Sequence, residues 1–127
     1  MKKDKVKTIT MWTLTGLLAV MFMLAGYSKF GVSAGWVERF VSWGYAPWFA
    51  SVIGAAEIAG GVGLFIPKTS ILAALGLVSI MLGAIATHLL NGEAGHIVTP
   101  LIYLAVLSVI IVLRRQMKLA PMSDGVS

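Results

Sequence analysis

The sequence predicts an all-α integral membrane protein: a four-helix bundle with a short interfacial helix between its first and second helices. Three observations predict it. Of the 127 residues, 58% are hydrophobic and only 12% are charged, about half the ~25% of a soluble domain. The charges sit at the two ends and in short gaps. The apolar runs between them reach the ~18–20 residues that cross a hydrocarbon core as helix. The length suits one membrane domain over residues 1–127.

The first span is read over 9–28. A lysine-rich start followed by an apolar run mimics a secretory signal, but Ile9 to Ser28 is too long for a signal core and reads as a retained span. Lys29 closes it. From Ser33, an expected N-cap, Trp36, Val37, Phe40 and Trp43 share one face, with Glu38, Arg39 and Ser42 opposite. This is the pattern of a short amphipathic helix lying in the interface plane, ended by Gly44. The second span is read over 47–66, with Pro47 in its first turn. Pro67-Lys68 then turns the chain into a third span over 69–90. The segment Asn91 to His96 is a polar loop. The fourth span is read over 97–113, with Pro100 in its first turn.

Orientation follows from the lysines and arginines of short loops. If the N-terminus is inside, eight cations lie inside (Lys2, Lys3, Lys5, Lys7, Lys68, Arg114, Arg115 and Lys118) and two, Lys29 and Arg39, lie outside. Both termini are therefore expected in the cytoplasm, with the protein in the plasma or inner membrane. Tyr27, Trp36, Trp43, Tyr45 and Trp48 read as an aromatic belt at the outer boundary, and Trp12 marks the inner one. The net charge of +5 is this topology signal. No basic face interleaved with aromatics suggests nucleic acid, and the lipid bilayer is the expected partner.

Small residues predict close helix packing. Ala55, Ala59 and Gly63, with Ala56 and Gly60, form stripes on the second span. Ser79, Gly83 and Thr87 form one on the third. These faces are expected to meet, because close backbone approach drives association in lipid.

Three ionisable residues stand out. Glu57 lies ten positions after Pro47, about 15 Å into the second span and near mid-membrane. A central acid costs about 3 kcal/mol on insertion scales, against about 0.3–0.6 kcal/mol returned by each large apolar residue. Glu57 must therefore be protonated, paired or facing a polar cavity. Lys29 at the outer end of span 1 alone reads as a snorkelling lysine, and His88 near the outer end of span 3 as a solvated histidine. Together they are candidates to line one outward-opening pocket. Lys29 reaches Glu57 directly only if span 1 sits lower than its boundaries suggest; otherwise water bridges them. His88 and His96, eight apart across a glycine loop, lack metal-site spacing. No phosphate loop or nucleophile elbow occurs. The absence of cysteine excludes disulfides and cysteine-bound iron–sulfur clusters within the chain.

At these residues the chain resembles the DoxX-like family. The matching stretches are Leu24-Ala25-Gly26-Tyr27-Ser28-Lys29-Phe30, Trp43-Gly44-Tyr45-Ala46-Pro47, Ala56-Glu57-Ile58-Ala59-Gly60-Gly61, Leu64-Phe65-Ile66-Pro67, and Met81-Leu82-Gly83-Ala84 with Thr87-His88. The resemblance covers about Thr15 to Arg115. It implies a four-helix membrane bundle, with Lys29, Glu57 and His88 where such proteins tend to carry a lysine, a glutamate and a histidine. Some relatives are membrane subunits linked to quinone-dependent sulfur oxidation or to thiol and oxidative stress.

Three functions remain open at this level, and with them whether the chain is an enzyme. One is a subunit of a redox complex whose pocket holds a quinone, with Glu57 or His88 relaying protons. The chain carries no intrinsic cofactor for that role, so a partner subunit supplies the electrons. A second is a non-catalytic assembly or scaffold protein in which the polar trio is structural. The third is a small proton or solute permease, which would require a homo-oligomer.

Overall fold

A computed structural model describes residues 2–30 and 35–126, with side chains through Met117. The expected N-cap Ser33 and the side chain of Lys118 lie outside the described residues. All described secondary structure is helical: α1 (Lys2–Ser28), α2 (Trp36–Ser42), α3 (Phe49–Phe65), α4 (Ser70–Leu90), a 3-10 turn (Ala94–Ile97) and α5 (Val98–Val126).

The boundaries follow local chemistry. α1 starts earlier than the apolar run because lysines propagate a helix well, and the Thr8 hydroxyl donates to the Asp4 carbonyl at 2.8 Å within it. Pro47 sits in a turn just before α3 rather than in its first turn; that turn is closed by the Phe49 N–H on the Ala46 carbonyl at 3.0 Å. At the other end Ile66 is extended, as the residue before Pro67 is biased to be. Helix ends leave carbonyls without partners. Thr69 Oγ1 donates to the Gly63 carbonyl at 2.9 Å and Arg114 Nη2 to the Leu64 carbonyl at 3.4 Å. α2 runs from Gly35, at φ 71°, to the turn at Gly44, at φ 94°, where left-handed backbone favours glycine. The loop after α4 turns at Gly92, φ 71°, and tightens into the 3-10 turn before α5.

α1, α3, α4 and α5 form an antiparallel ring, each packed on its neighbours, with α1 and α5 closing it. α1, α4 and the segment Ala94–Met117 are long and apolar enough to cross a membrane. α3, with 17 residues, is at the lower limit for a span. Leu24, Leu72, Ile102 and Val112 are exposed on the outside of the ring, an apolar surface suited to lipid rather than water.

The bundle is solid in one half and hollow in the other. Leu18, Phe22, Leu64, Leu77, Leu107 and Ile110 fill the half that contains the α3–α4 turn. Toward the opposite end, small residues leave space.

The closest helix approach is between α1 and α3, not between the two spans whose small-residue stripes suggested it. A Cβ on Gly54 would stand 2.6 Å from the Gly26 carbonyl, and one on Gly61 2.8 Å from the Ala19 carbonyl. The α3–α4 contact exists but is narrower: a Cβ on Gly60 would meet the Leu77 side chain at 2.6 Å and one on Gly63 would meet Ala73 at 2.9 Å. Gly83 corrects the expectation for α4, since nothing lies within 4 Å of its Cβ position; its stripe borders a cavity instead. Gly60→Leu is therefore expected to cost about 1–3 kcal/mol by overpacking. Gly83→Leu should stay within about 0.5 kcal/mol of wild type. Unfolding in detergent measures both, and an equal loss in the two variants would refute the cavity at Gly83.

Candidate functional site

The close approach of α1 and α3 creates the site. Lys29 is the first residue after α1, and its backbone N–H still bonds the Gly26 carbonyl at 3.1 Å. Gly54 lies three residues before Glu57, and a Cβ there would come within 3.0 Å of Lys29 Cβ. With glycine at 54, the end of α1 settles onto α3. Lys29 Nζ then stands 2.5 Å from Glu57 Oε1, the side chains only 8% and 3% exposed. The contact is direct, so span 1 does sit low enough and no water bridge is needed. Lys29 is buried rather than snorkelling at the interface.

The pair forms part of the wall of a cavity of about 670 Å³ in the hollow half of the bundle, within the range typical of small-molecule sites. α2 roofs it. Phe40, buried in α2, packs on Trp36, Trp43, Tyr45 and Phe49 with ring centroids 5.4–6.3 Å apart. The expected aromatic belt thus divides. Tyr27 and Trp48 are exposed and free to anchor, whereas Trp36, Trp43 and Tyr45 line the cavity. The apolar face of α2 turns inward onto α3 because Phe49 and Tyr45 offer it an aromatic surface. Lys29 Nζ stands 4.3 Å from the Trp36 ring centre and the Arg39 guanidinium 5.1 Å from it. These cation–π contacts add to the charge partner of Lys29.

His88 lies on the same cavity. Its Nδ1 is 2.8 Å from Glu93 Oε1, its ring meets the edge of Trp43 at 5.3 Å, and His96 stacks on it at 5.6 Å. The hydrogen bond with His88 is the main cause that holds the Glu93 carboxyl below its usual range; desolvation opposes the shift, and a protonated His88 would add to it. In the neutral ring with Nδ1–H donated to Glu93, Nε2 remains an acceptor. Tyr45 and Thr87 share a hydrogen bond of 2.7 Å, and the Thr87 hydroxyl also reaches the Gly83 carbonyl at 2.8 Å, tying the roof to α4.

All three residues singled out in the sequence therefore border one space. Sequence reading passed over Tyr103, which lines the cavity from α5 and packs tilted against Phe22 with ring centroids 5.1 Å apart. A phenol within an apolar span was its signal, by the same logic that marked Glu57. Trp36, Arg39 and Trp43 carried no such signal, because interface anchors have the same composition.

No curated protein and no solved structure matches the chain. The sequence profile of the DoxX-like family matches residues 13–110, a stretch holding the core of the bundle and every side chain of the cavity, and the chain belongs to that family.

Proposed function

We propose that the protein is a membrane subunit of a redox system and that its cavity holds the head group of a lipid-soluble quinone. The observation that supports this most is a buried Lys29–Glu57 pair set in the wall of an aromatic-lined space within a membrane bundle. An intramembrane ion pair marks a functional site by default. The residues suit such a head group: Trp36, Phe49 and Tyr103 give the cavity an aromatic lining, and the Lys29 ammonium has hydrogens beyond the one directed at Glu57 to donate to a carbonyl. A quinone supplies two-electron, two-proton chemistry when bound. The chain's own groups would hold and move the protons, at the Glu57 carboxyl and at His88 Nε2. A partner subunit supplies the electrons.

Both termini are assigned to the cytoplasmic side of the plasma or inner membrane. The Lys and Arg count, eight inside against two outside, supports that assignment. Reporter fusions after Met117 should report cytoplasm, and fusions within Asn91 to Gly95 should report the outside; the reverse pattern would overturn the assignment.

The scaffold reading has one specific support, that Lys29–Glu57 joins α1 to α3 and could act purely as packing. A permease has less, because Phe22, Leu77 and Leu107 fill the half of the bundle beyond the cavity. The test of the quinone site is titration of the purified protein with a short-chain quinone, read by tryptophan fluorescence. Trp36 and Trp43, two of the four tryptophans, border the cavity. Saturable quenching that Gly83→Trp abolishes is expected. Quenching no stronger than that from an apolar aromatic of matched size would overturn the quinone site.

A further inference from the structure

Arg114 has so far served only as a topology marker and as a donor to the end of α3. Its burial asks for more. The residue is 8% exposed, at the end of the bundle opposite the cavity. A guanidinium stays charged in any protein environment and carries five N–H donors. Among the described residues Arg114 makes one hydrogen bond, the 3.4 Å contact to the Leu64 carbonyl. Its guanidinium carbon stands 4.7 Å from the Trp12 ring centre. Its Nε is buried and has no hydrogen-bond partner, and no carboxylate pairs with it among the described residues. A buried, unneutralised charge is costly. Arg115, next in the chain, and Lys68, four residues after the acceptor Leu64, carry charge of the same sign.

Beside it lies a second cavity, of about 240 Å³, walled by Arg114, Met11, Trp12, Pro67, Ile71 and Met117. It is separate from the quinone cavity and shares no lining residue with it. Its walls are apolar except for the guanidinium and the indole. A small apolar recess with a single, always-charged fork at its edge suits a phosphate that carries an apolar body. The fork matches phosphate oxygens two at a time, and the exposed Lys68 and Arg115, next in sequence to the lining residues Pro67 and Arg114, give this end of the bundle a positive charge that attracts an anion.

We propose that this recess binds a phosphate group, Arg114 being its main ligand, and that an anionic phospholipid head group is the source. Arg114 lies outside the stretch matched by the family profile, and the inference does not depend on the quinone reading.

The test uses delipidated full-length protein in mild detergent, with thermal unfolding measured in three arms. These are phosphatidylglycerol, a neutral glycosyl diacylglycerol with the same chains, and inorganic phosphate. Phosphatidylglycerol should raise the midpoint by about 5 °C at saturating lipid, and the neutral lipid should not. Arg114→Gln should abolish the shift. Because that change also uncaps α3, Ile71→Trp is the second variant, filling the recess while leaving Arg114 and its bond to Leu64 in place. It too should lose the shift, while still unfolding cooperatively in lipid-free detergent. An equal shift from inorganic phosphate alone would support the phosphate site and reassign its source to a free oxyanion. Equal shifts from the two lipids, or a full phosphatidylglycerol shift in folded Ile71→Trp, would overturn it.

Discussion

Lys29→Met is expected to lower stability by about 3–5 kcal/mol, the cost of leaving one member of a buried ion pair without its partner. Glu57, 3% exposed in its side chain, would then face an aromatic and apolar wall as an uncompensated carboxylate, or take up a proton to fold. Removing both charges avoids that cost. Lys29→Met combined with Glu57→Leu should recover most of the loss, since apolar replacements of a whole buried pair are often neutral or stabilising. Glu57→Gln separates structure from chemistry. The amide oxygen still accepts from the Lys29 ammonium, and Trp36 still lies 4.3 Å from that ammonium, so the variant should lose less stability than Lys29→Met and still fold. An amide does not titrate near neutral pH, so proton exchange at this position ends. The redox reading expects a folded, inactive Glu57→Gln protein. Unfolding in detergent and a cell-based complementation assay measure the two consequences. If Lys29→Met were as stable as wild type, the pair would not be the buried unit described. Full activity of Glu57→Gln would leave the pair as a structural link between α1 and α3, and the scaffold function would stand.

The fold was legible where lipid dictates it. Apolar runs of span length, lysines at one end of the bundle and the turns at Gly44, Pro67 and Gly92 depend on solvent and backbone chemistry, which a single chain displays. Glu57 was legible for the same reason, as a carboxyl in hydrocarbon demands a partner or a cavity. Its partner was only conditionally legible. Linear depth puts Glu57 a few turns deeper than Lys29, and two facts invisible in one dimension close the gap: α3 starts after Pro47, and α1 and α3 touch backbone to backbone at Gly26 and Gly54. Small-residue stripes mark close packing without naming the neighbour. The stripe through Gly83 looks like that through Gly60, yet one borders empty space and the other meets Leu77. Tryptophan is ambiguous in the same way, suiting a membrane boundary and a ligand wall by the same amphipathic ring. Trp36 and Trp48 differ only in what the fold brings beside them.

Gly54 is where packing and site are one feature, and Gly54→Leu is the substitution expected to do most damage. Even a bare Cβ would stand 2.6 Å from the Gly26 carbonyl, 3.0 Å from Lys29 Cβ and 3.1 Å from the Phe30 ring. The first obstacle is backbone, which cannot swing aside as the Leu77 side chain can at Gly60. Leucine therefore forces α1 away from α3. Overpacking alone costs about 1–3 kcal/mol, and separating the helices also draws Lys29 Nζ off Glu57 Oε1, adding part of the about 3–5 kcal/mol of a broken buried pair. A combined loss of about 5 kcal/mol is a large share of the roughly 5–15 kcal/mol that holds a domain together, so the variant should unfold at markedly lower temperature or fail to accumulate. Gly54→Ala should show an intermediate loss with the same signature. The coupling is testable by moving Gly54→Ala into the Lys29→Met, Glu57→Leu background, where no ion pair remains to be separated. There its cost should fall to the overpacking component alone. An undiminished cost in that background would show that Gly54 sets helix distance without setting the Lys29–Glu57 contact.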